Sequence, residues 1–405
     1  MSGRALGGMA FFAMIITAVA LHGCNGGGSG GAGQAAGDIV SATQIASFTK
    51  ADVAAVFTAA AVPLTPEYAL TIYKIVYLTP DESGALIKAS GALVVPQNLS
   101  APAPLLSSQH GTTTLKLDVA STAPLPGQPY GHLEALVFGT AGYITVLPDY
   151  IGYGDSGDRF HPYLHAKTLA NAVVNLLRAA KTYCKTNNIP LSDGLFLEGY
   201  SEGGYATMAA TREIQEKYAD EFVITASAPM AGPYDLSTSL LDTLNSATYP
   251  GPGFVAFSFW AYDRIYALDM ISQVFMPEFA AKLDTLFDGT HAIATDINPA
   301  LTTDMAALFQ SRFLTDFRGS GAVLLKTKIQ ENNLHDWSPT VAMRLIHCKG
   351  DDIVAFKNSQ TAFSNFSTHG AKKFVQLVAP LPDGTHASCA GPAVLAAKSW
   401  FDTLK

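Results

Sequence analysis

Charged side chains are scarce in this sequence. Only 14% of the 405 residues are Asp, Glu, Lys or Arg, and the formal net charge is −8. A chain with so few charged residues is not a disordered acidic or basic protein. The acidic balance also argues against nucleic acid as a partner, because phosphate binding needs clustered Lys and Arg. Hydrophobic residues make up 48% of the chain, which is enough to bury a sizeable core.

Cysteine is also rare, with four in the whole chain. Cys24 lies near the N-terminus, and Cys184, Cys348 and Cys389 belong to the expected globular part. Their spacing matches no zinc motif, so we expect no metal site. If the protein is exported into oxidising surroundings, one disulfide and one free thiol are compatible with this count.

The N-terminal apolar run is too short to span a membrane. It covers residues 9–21 after Arg4, whereas a spanning helix needs about 20 residues. The pattern is typical of a secretory signal peptide. Residues 21–24, Leu-His-Gly-Cys, are similar to a bacterial lipobox, in which the cysteine becomes lipidated. The alternatives are an ordinary signal peptide cut elsewhere and a buried helix.

These features predict an exported protein of the bacterial cell envelope, in the outer membrane or the periplasm, or released outside the cell. We expect a lipoprotein-type signal peptide at 1–23 and a lipid anchor that holds Cys24 in a membrane. The glycine-rich residues 24–37 predict a flexible tether that separates the anchor from the folded part.

Strands and helices alternate over most of the remaining chain, which predicts parallel strands joined by helical crossovers. Residues 232–339 interrupt this alternation with Phe, Leu, Met and Ala at helical spacings, so we predict a helical cap inserted into a core of residues 38–231 and 340–405. The predicted strands cover 68–78, 85–96, 104–109, 143–148, 195–200, 222–227, 342–348 and 373–378. The predicted helices outside the cap cover 131–140, 165–185, 204–218, 357–366 and 393–404.

A serine stands between glycines where one of these strands meets the next helix. The stretch "GYSEGG" contains G-x-S-x-G, with Ser201 at its centre. This pattern is typical of a sharp strand-to-helix turn that raises the serine hydroxyl into a cleft, and the glycines avoid a clash there. The helix that follows directs its N-terminus toward the serine, where it favours a developing oxyanion. Ser201 is therefore the predicted nucleophile.

A serine nucleophile needs a histidine as base and an acid to orient that histidine. In hydrolases with this motif the order along the chain is serine, acid, histidine. His386 lies in a loop between the last predicted strand and the last helix, and is the predicted base. The other histidines after the serine are less well placed. They are His291, His335, His347 and His369.

The stretch "RLIHCKGDDIVAF" supplies the acid. It resembles the D-x-x-V loop of many hydrolases, which selects Asp351. Asp352 is the alternative within this loop, and Asp235 is a second alternative, after an earlier strand. Cys348 and Cys389 each lie three residues from these predicted catalytic groups. A disulfide between them would hold the acid loop against the histidine loop, and the alternative is two separate buried thiols.

The oxyanion of such a reaction needs two N–H donors. One is predicted to be the backbone N–H of Glu202, next to the nucleophile. The stretch "SSQHGTTT" follows a predicted strand and offers the second, with Thr112 as first choice and Thr113 as the alternative. His110 is expected to support this loop rather than to act as the base.

Several of these stretches together resemble one family. "HGTT", "LPDYIGYGDS", "GYSEGG" and "DWSPTVAMRLIHCKGDDIV" are similar to the bacterial esterase branch of the α/β-hydrolase superfamily and, more loosely, to fungal secretory lipases. The resemblance covers roughly residues 68–405. It implies an α/β-hydrolase fold, with a mostly parallel twisted sheet flanked by helices and with an inserted helical cap. Ala355 departs from the proline usual in the family.

The resemblance also implies a reaction. We expect hydrolysis of a carboxylic ester, without a cofactor, by Ser201, His386 and Asp351 through an acyl-enzyme, on a small-molecule ester substrate. A serine peptidase or amidase of the same fold is the first alternative, and a non-catalytic surface lipoprotein is the second. Nothing in the sequence determines the acyl length, the alcohol part or the oligomeric state.

Overall fold

The computed structural model describes residues 33–124 and 132–405. The predicted signal peptide, Cys24 and the first part of the predicted tether lie outside the described residues. The described chain forms one nine-stranded sheet in the order β1-β2-β3-β5-β4-β6-β7-β8-β9. The strands are β1 (Ile39–Phe48), β2 (Leu70–Pro80), β3 (Leu86–Pro96), β4 (Ala103–Gln109), β5 (Ile144–Pro148), β6 (Leu191–Tyr200), β7 (Ile224–Met230), β8 (Met343–Ile346) and β9 (Val375–Val378).

The direction of the strands changes across this sheet. The first three pairs, β1 with β2, β2 with β3 and β3 with β5, are antiparallel. All remaining pairs, from β5 and β4 to β8 and β9, are parallel. Helical crossovers join the parallel strands, as the alternation in the sequence predicts. Together the two parts form an α/β-hydrolase fold, which confirms the expected fold class.

Helices cover both faces of the sheet. The first eight helices along the chain are α1 (Lys50–Ala59), α2 (Leu133–Gly139), α3 (Ala166–Thr186), α4 (Glu202–Lys217), α5 (Leu236–Asn245), α6 (Pro252–Tyr266), α7 (Ile271–Val274) and α8 (Pro277–Ala280). They are followed by α9 (Leu283–Leu286), α10 (Asn298–Ala300), α11 (Met305–Leu308), α12 (Ser311–Arg318), α13 (Val323–Gln330), α14 (Lys357–Thr368) and α15 (His386–Asp402). Helices α1, α2 and α15 share one apolar core with the sheet, and α3 and α4 share another.

The N-terminal strand β1 and helix α1 are absent from the sequence-based prediction. Strand β1 lies at the edge of the sheet and is mostly exposed, so it lacks the apolar alternation by which a half-buried strand is recognised. A signal for α1 does exist in the sequence. The Thr49 side chain accepts from the N–H of Asp52, and the Asp52 carboxylate accepts from the N–H of Thr49, which is a capping box.

The chain between β7 and β8 is helical, from α5 to α13. A cluster of phenylalanines holds these short helices together: the ring of Phe259 lies 5.4–5.8 Å from the rings of Phe309, Phe313 and Phe317. Hydrogen bonds join the inserted segment to the core, including one from the Tyr205 hydroxyl to the carbonyl of Asn332 at 2.6 Å. The insertion therefore forms a packed unit that is fixed to α4.

Within the ranges that the structure describes, we found no helix with the length and hydrophobicity that crossing a membrane requires.

Candidate active site

Ser201 occupies the sharp turn between β6 and α4. Its backbone has φ 61° and ψ −121°, a conformation that side-chain-bearing residues rarely adopt. The glycines on either side make the turn possible. A Cβ at Gly199 would lie 2.5 Å from the carbonyl oxygen of Gly203, and a Cβ at Gly203 would overlap the carbonyl oxygen of Gln109 on β4. The predicted strand–turn–helix is thus present, and it raises the serine above the ends of the parallel strands.

The structure brings the three predicted residues together. The His386 Nε2 atom lies 2.8 Å from Ser201 Oγ, and its Nδ1 atom lies 2.6 Å from Asp351 Oδ2. His386 is the first residue of α15, and Asp351 follows β8. This linear arrangement of hydroxyl, imidazole and carboxylate is the one that lets a serine be deprotonated by a histidine.

Asp351 is held in its ionised form by its surroundings. Burial alone would raise the pKa of this carboxyl group, but hydrogen bonds from His347 and His386 outweigh burial and place the pKa well below its usual range. The backbone N–H groups of Ile353 and Val354 also donate to Oδ1, at 3.0 and 2.8 Å. A carboxylate with this many donors remains charged and fixed in orientation.

The two alternative acids lie elsewhere. Asp352 accepts a hydrogen bond from the backbone N–H of His386 at 3.0 Å, so it contacts the main chain and not the imidazole. Asp235 caps α5 by accepting from the N–H of Thr238 at 3.0 Å. Of the three carboxylates, Asp351 is therefore the one hydrogen-bonded to the imidazole of His386.

Each of the other histidines after Ser201 has a ring nitrogen within 4 Å of a carboxylate oxygen. His369 contacts Asp336 at the surface, at 2.6 Å, and His291 lies 3.3 Å from Asp288. His335 lies 3.8 Å from Asp235. His347 is closer to the site than the sequence indicates: this buried side chain directly follows β8, and its Nε2 lies 3.2 Å from Asp351 Oδ2 and 2.9 Å from the carbonyl oxygen of Val354.

The predicted disulfide is confirmed. Cys348 and Cys389 are bonded, with their Cα atoms 6.0 Å apart, and Cys184 is a free, buried cysteine in α3. Burial raises the pKa of the Cys184 thiol to about 12, so this group stays protonated and inert at neutral pH. The disulfide joins the loop of Asp351 to the first turn of the helix that begins with His386.

The loop after β4 passes beside the nucleophile. A Cβ at Gly111 would lie 3.3 Å from the carbonyl oxygen of Tyr200 and 3.7 Å from the Ser201 Cβ. The residue before Thr112, the predicted second oxyanion donor, therefore lies close to the turn between β6 and α4 that carries Ser201. His110 is engaged in the structure of the loop: its Nε2 lies 3.1 Å from the carbonyl oxygen of Asp149, and its ring packs on Tyr150 at 4.3 Å.

A cavity of about 220 Å³ opens at Ser201. Its lining is partly polar and partly apolar. Polar lining residues in α5 and directly after it are Thr238, Ser239, Asp242, Thr243 and Ser246, and aromatic or aliphatic lining residues include Tyr163, Tyr249, Phe254, Val255 and Ile353. Among the described residues, no group of three or more His, Cys, Asp or Glu side chains is placed to hold a metal ion.

The sequence profile of the secretory lipase family matches residues 135–401. This chain belongs to that family, and its fold is that of an α/β-hydrolase. Solved structures agree. The rice cell wall degrading esterase LipA from Xanthomonas oryzae is 28% identical with a TM-score of 0.83, over 92% of this chain and 100% of that chain.

Two further structures are similar to this chain. A protein from Legionella pneumophila described as a hydrolase is 27% identical, with a TM-score of 0.83 over 90% of this chain and 98% of that chain. Candida antarctica lipase A is 18% identical, with a TM-score of 0.65 over 92% of this chain and 83% of that chain, which shows the common fold. A search of curated proteins found no match. The family and these neighbours support a hydrolase of ester substrates.

Proposed function

We propose that this protein is an exported serine esterase that forms an acyl-enzyme on Ser201. The observation that carries the proposal is the continuous pair of hydrogen bonds from Ser201 through His386 to Asp351, at 2.8 and 2.6 Å. Membership of the secretory lipase family supports both the ester substrate and the export.

The proposed reaction begins with proton transfer from Ser201 Oγ to His386 Nε2 as the oxygen attacks the ester carbonyl carbon. Nδ1 of His386 keeps its proton and donates a hydrogen bond to Asp351, so the imidazolium that forms is stabilised by a carboxylate. The imidazolium then protonates the leaving alcohol. A water molecule then attacks the acyl carbon and loses a proton to the same Nε2. The bond between the acyl carbon and Ser201 Oγ breaks, the imidazolium returns the proton to Oγ, and the carboxylic acid is released.

The developing oxyanion is proposed to accept hydrogen bonds from the backbone N–H groups of Glu202 and Thr112. Glu202 is the first residue of α4, so its N–H lies at the positive end of a 16-residue helix. Gly111 brings the second loop close to the serine, as its contact with Tyr200 shows. Donors of this kind typically contribute about 10²–10³-fold each to the rate.

The size of the cavity favours a small acyl group. Its volume of about 220 Å³ is below the roughly 300–1,000 Å³ of common ligand pockets. We propose that short acyl esters are better substrates than long-chain ones. The polar side chains that α5 contributes to the lining suit a substrate with hydroxyl groups, and the similarity to LipA makes cell-wall esters a class to test.

The test uses purified protein and a p-nitrophenyl ester series from acetate to palmitate, with aminoacyl p-nitroanilides for comparison. Ser201→Ala should lower kcat by roughly 10⁶-fold, in line with loss of a triad serine elsewhere, and should abolish labelling by a fluorophosphonate. Unchanged turnover by this variant refutes the role of Ser201. Preference for the anilides would favour the amidase, and absence of both activities and of labelling would favour a non-catalytic protein.

The lipid anchor is a separate proposal that rests on the sequence of the N-terminal segment. Expression of the full chain in bacteria with labelled palmitate should label the wild type, whereas Cys24→Ala should not take up label and should leave the membrane fraction. Label on the alanine variant would contradict the anchor at Cys24, without touching the esterase proposal.

A further inference from the structure

A second histidine–carboxylate contact lies buried beside the candidate active site. The His161 Nε2 atom is 2.7 Å from Glu202 Oε1, and its Nδ1 atom is 2.7 Å from the carbonyl oxygen of Ile151. The side chains of His161 and Glu202 are 3% and 0% exposed. Glu202 also supplies the proposed oxyanion N–H, so this contact is attached to the site through its own backbone.

The two hydrogen bonds determine how many protons the pair holds. A carbonyl oxygen can only accept, so Nδ1 of His161 must carry a hydrogen that it donates to Ile151. A contact of 2.7 Å between Nε2 and a carboxyl oxygen then needs one more proton, either on the histidine or on Glu202. The pair is therefore neutral overall, as an imidazolium with a carboxylate or as an imidazole with a carboxylic acid.

Tyrosines surround the ring of His161. The rings of Tyr150, Tyr153 and Tyr163 lie 5.9, 4.6 and 6.1 Å from it. Burial, and then the charge of Glu202, raise the pKa of each of these phenols well above the usual value, so they stay protonated.

The hydroxyl groups of the same three tyrosines all reach the loop after β4. Tyr150 donates to the carbonyl of His110 at 3.1 Å, and Tyr153 donates to the carbonyl of Thr113 at 2.5 Å. The Tyr163 hydroxyl lies 3.0 Å from Oγ1 of Thr112. One imidazole thus packs against the supports of one oxyanion donor and is hydrogen-bonded to the residue that provides the other.

We infer that His161 and Glu202 are positioning residues. As a pair that shares one proton and has no net charge, they fix the position of the Thr112 N–H relative to the Glu202 N–H in the oxyanion hole. The inference rests on the proposed function. Neither side chain touches the reacting atoms. Without His161, the three tyrosines that pack around its ring would be free to shift. The buried carboxyl group of Glu202 would also lack a proton donor, next to the position where negative charge develops. Both effects weaken binding of the transition state more than binding of the ester.

The experiment compares His161→Leu, Glu202→Gln and the double variant in the full-length protein, with His369→Leu as a matched control. His369 also contacts a carboxylate, but at the surface. Three quantities are measured for each variant: kcat and KM on a short p-nitrophenyl ester, and the inhibition constant of a trifluoromethyl ketone, which binds as a transition-state analogue. Thermal unfolding confirms that each variant is folded.

We expect His161→Leu to lower kcat by about 10- to 100-fold with little change in KM. The inhibition constant of the ketone should rise by the same factor. The double variant should have a kcat at least about fivefold higher than that of His161→Leu, because replacing Glu202 by Gln removes the unpaired carboxyl group. The control should behave as wild type. Full activity and ketone affinity in a folded His161→Leu variant, or no recovery in the double variant, would overturn the inference.

Should the leucine variant not fold, His161→Gln takes its place. Its amide can donate to Glu202 but cannot also donate to Ile151, so a loss of at least about threefold is expected in kcat and in ketone affinity alike. A His161→Gln variant with the kcat and the ketone affinity of the wild type would overturn the inference. A wild-type protein that neither turns over the ester nor binds the ketone would instead refute the proposed esterase function.

Discussion

The disulfide between Cys348 and Cys389 links two loops whose side chains meet at the candidate active site. Cys348 lies three residues before Asp351, and Cys389 lies three residues after His386. The hydrogen bond between Asp351 and His386, at 2.6 Å, therefore spans the same two segments as the covalent bond. A cross-link that takes no part in the proposed reaction therefore joins the two segments that carry the acid and the base.

Removal of this disulfide should lower both stability and activity. The bond closes a loop with a sequence separation of 41 residues, and the chain-entropy relation assigns about 4 kcal/mol to such a loop. Cys348→Ser/Cys389→Ser should therefore lose about 2–4 kcal/mol in urea unfolding, and its kcat should fall more than its KM rises. Cys184→Ala is the control, because this cysteine lies in α3 and should leave kcat unchanged. A double variant with wild-type kcat would contradict the positioning role of the disulfide.

The two adjacent aspartates should differ sharply in their effect on activity. Asp351→Asn removes the acceptor of the His386 Nδ1–H and should lower kcat by roughly 10⁴-fold, as loss of the corresponding acid does in other triads. Asp352→Asn weakens one hydrogen bond to the backbone N–H of His386 and should cost less than about tenfold. Steady-state kinetics on a short ester measures both. A larger loss at Asp352 than at Asp351 would reverse the assignment of the acid.

The close packing of Gly203 should make this position intolerant of any side chain. A Cβ there would overlap the carbonyl oxygen of Gln109, which is fixed because β4 pairs with β6 up to Gln109 and Gly199. We expect Gly203→Ala to lower the free energy of unfolding by more than about 3 kcal/mol or to prevent folding. Gly33→Ala, at a position where no atom of the described residues lies within 4 Å of the added Cβ, should match wild type in thermal unfolding. Equal melting temperatures for both variants would show that the turn is less tightly packed than the structure indicates.

A buried acid three residues before the nucleophile should make stability depend on pH. Burial, with a further contribution from the charge of Glu134, raises the pKa of Glu198 to about 8. The native state then keeps a proton that the unfolded chain loses above pH 4–5. The stability contribution of this group is therefore fully present at low pH and is lost as the pH rises toward 8, at up to about 1.4 kcal/mol per pH unit.

The variant Glu198→Gln removes this titration and keeps the size of the side chain. Between pH 5 and pH 8 the wild type should lose more stability in urea unfolding than the variant does, and the difference should widen with each pH unit. Glu213→Gln, which alters a surface ion pair with Lys217, is the matched control and should follow the wild type. Parallel curves for the wild type and Glu198→Gln would contradict a raised pKa for this group.

Local patterns in the sequence were sufficient for much of the fold. Each of the eight predicted strands overlaps one of β2–β9, because a buried or half-buried strand, parallel or antiparallel, leaves an apolar run or an apolar alternation in the sequence. Strand β1 was missed for the opposite reason, since an exposed edge strand has no such run. The last helix was predicted to begin at residue 393, whereas α15 begins at His386. Gly391 and Pro392, the sixth and seventh residues of α15, are poor helix formers, so the sequence gives no sign that the helix begins before them.

The sequence by itself determined the strand–turn–helix around Ser201, because the glycines, the apolar run before them and the small residues after them are neighbours in the chain. It also narrowed the partners of Ser201 to a few histidines and carboxylates. Only the tertiary structure decided that the imidazole of His386 meets Asp351 and not Asp352, and that His161 and His347 are buried against Glu202 and Asp351. Such contacts join segments that are far apart in the chain, and their geometry arises when the sheet assembles, so no local pattern records it.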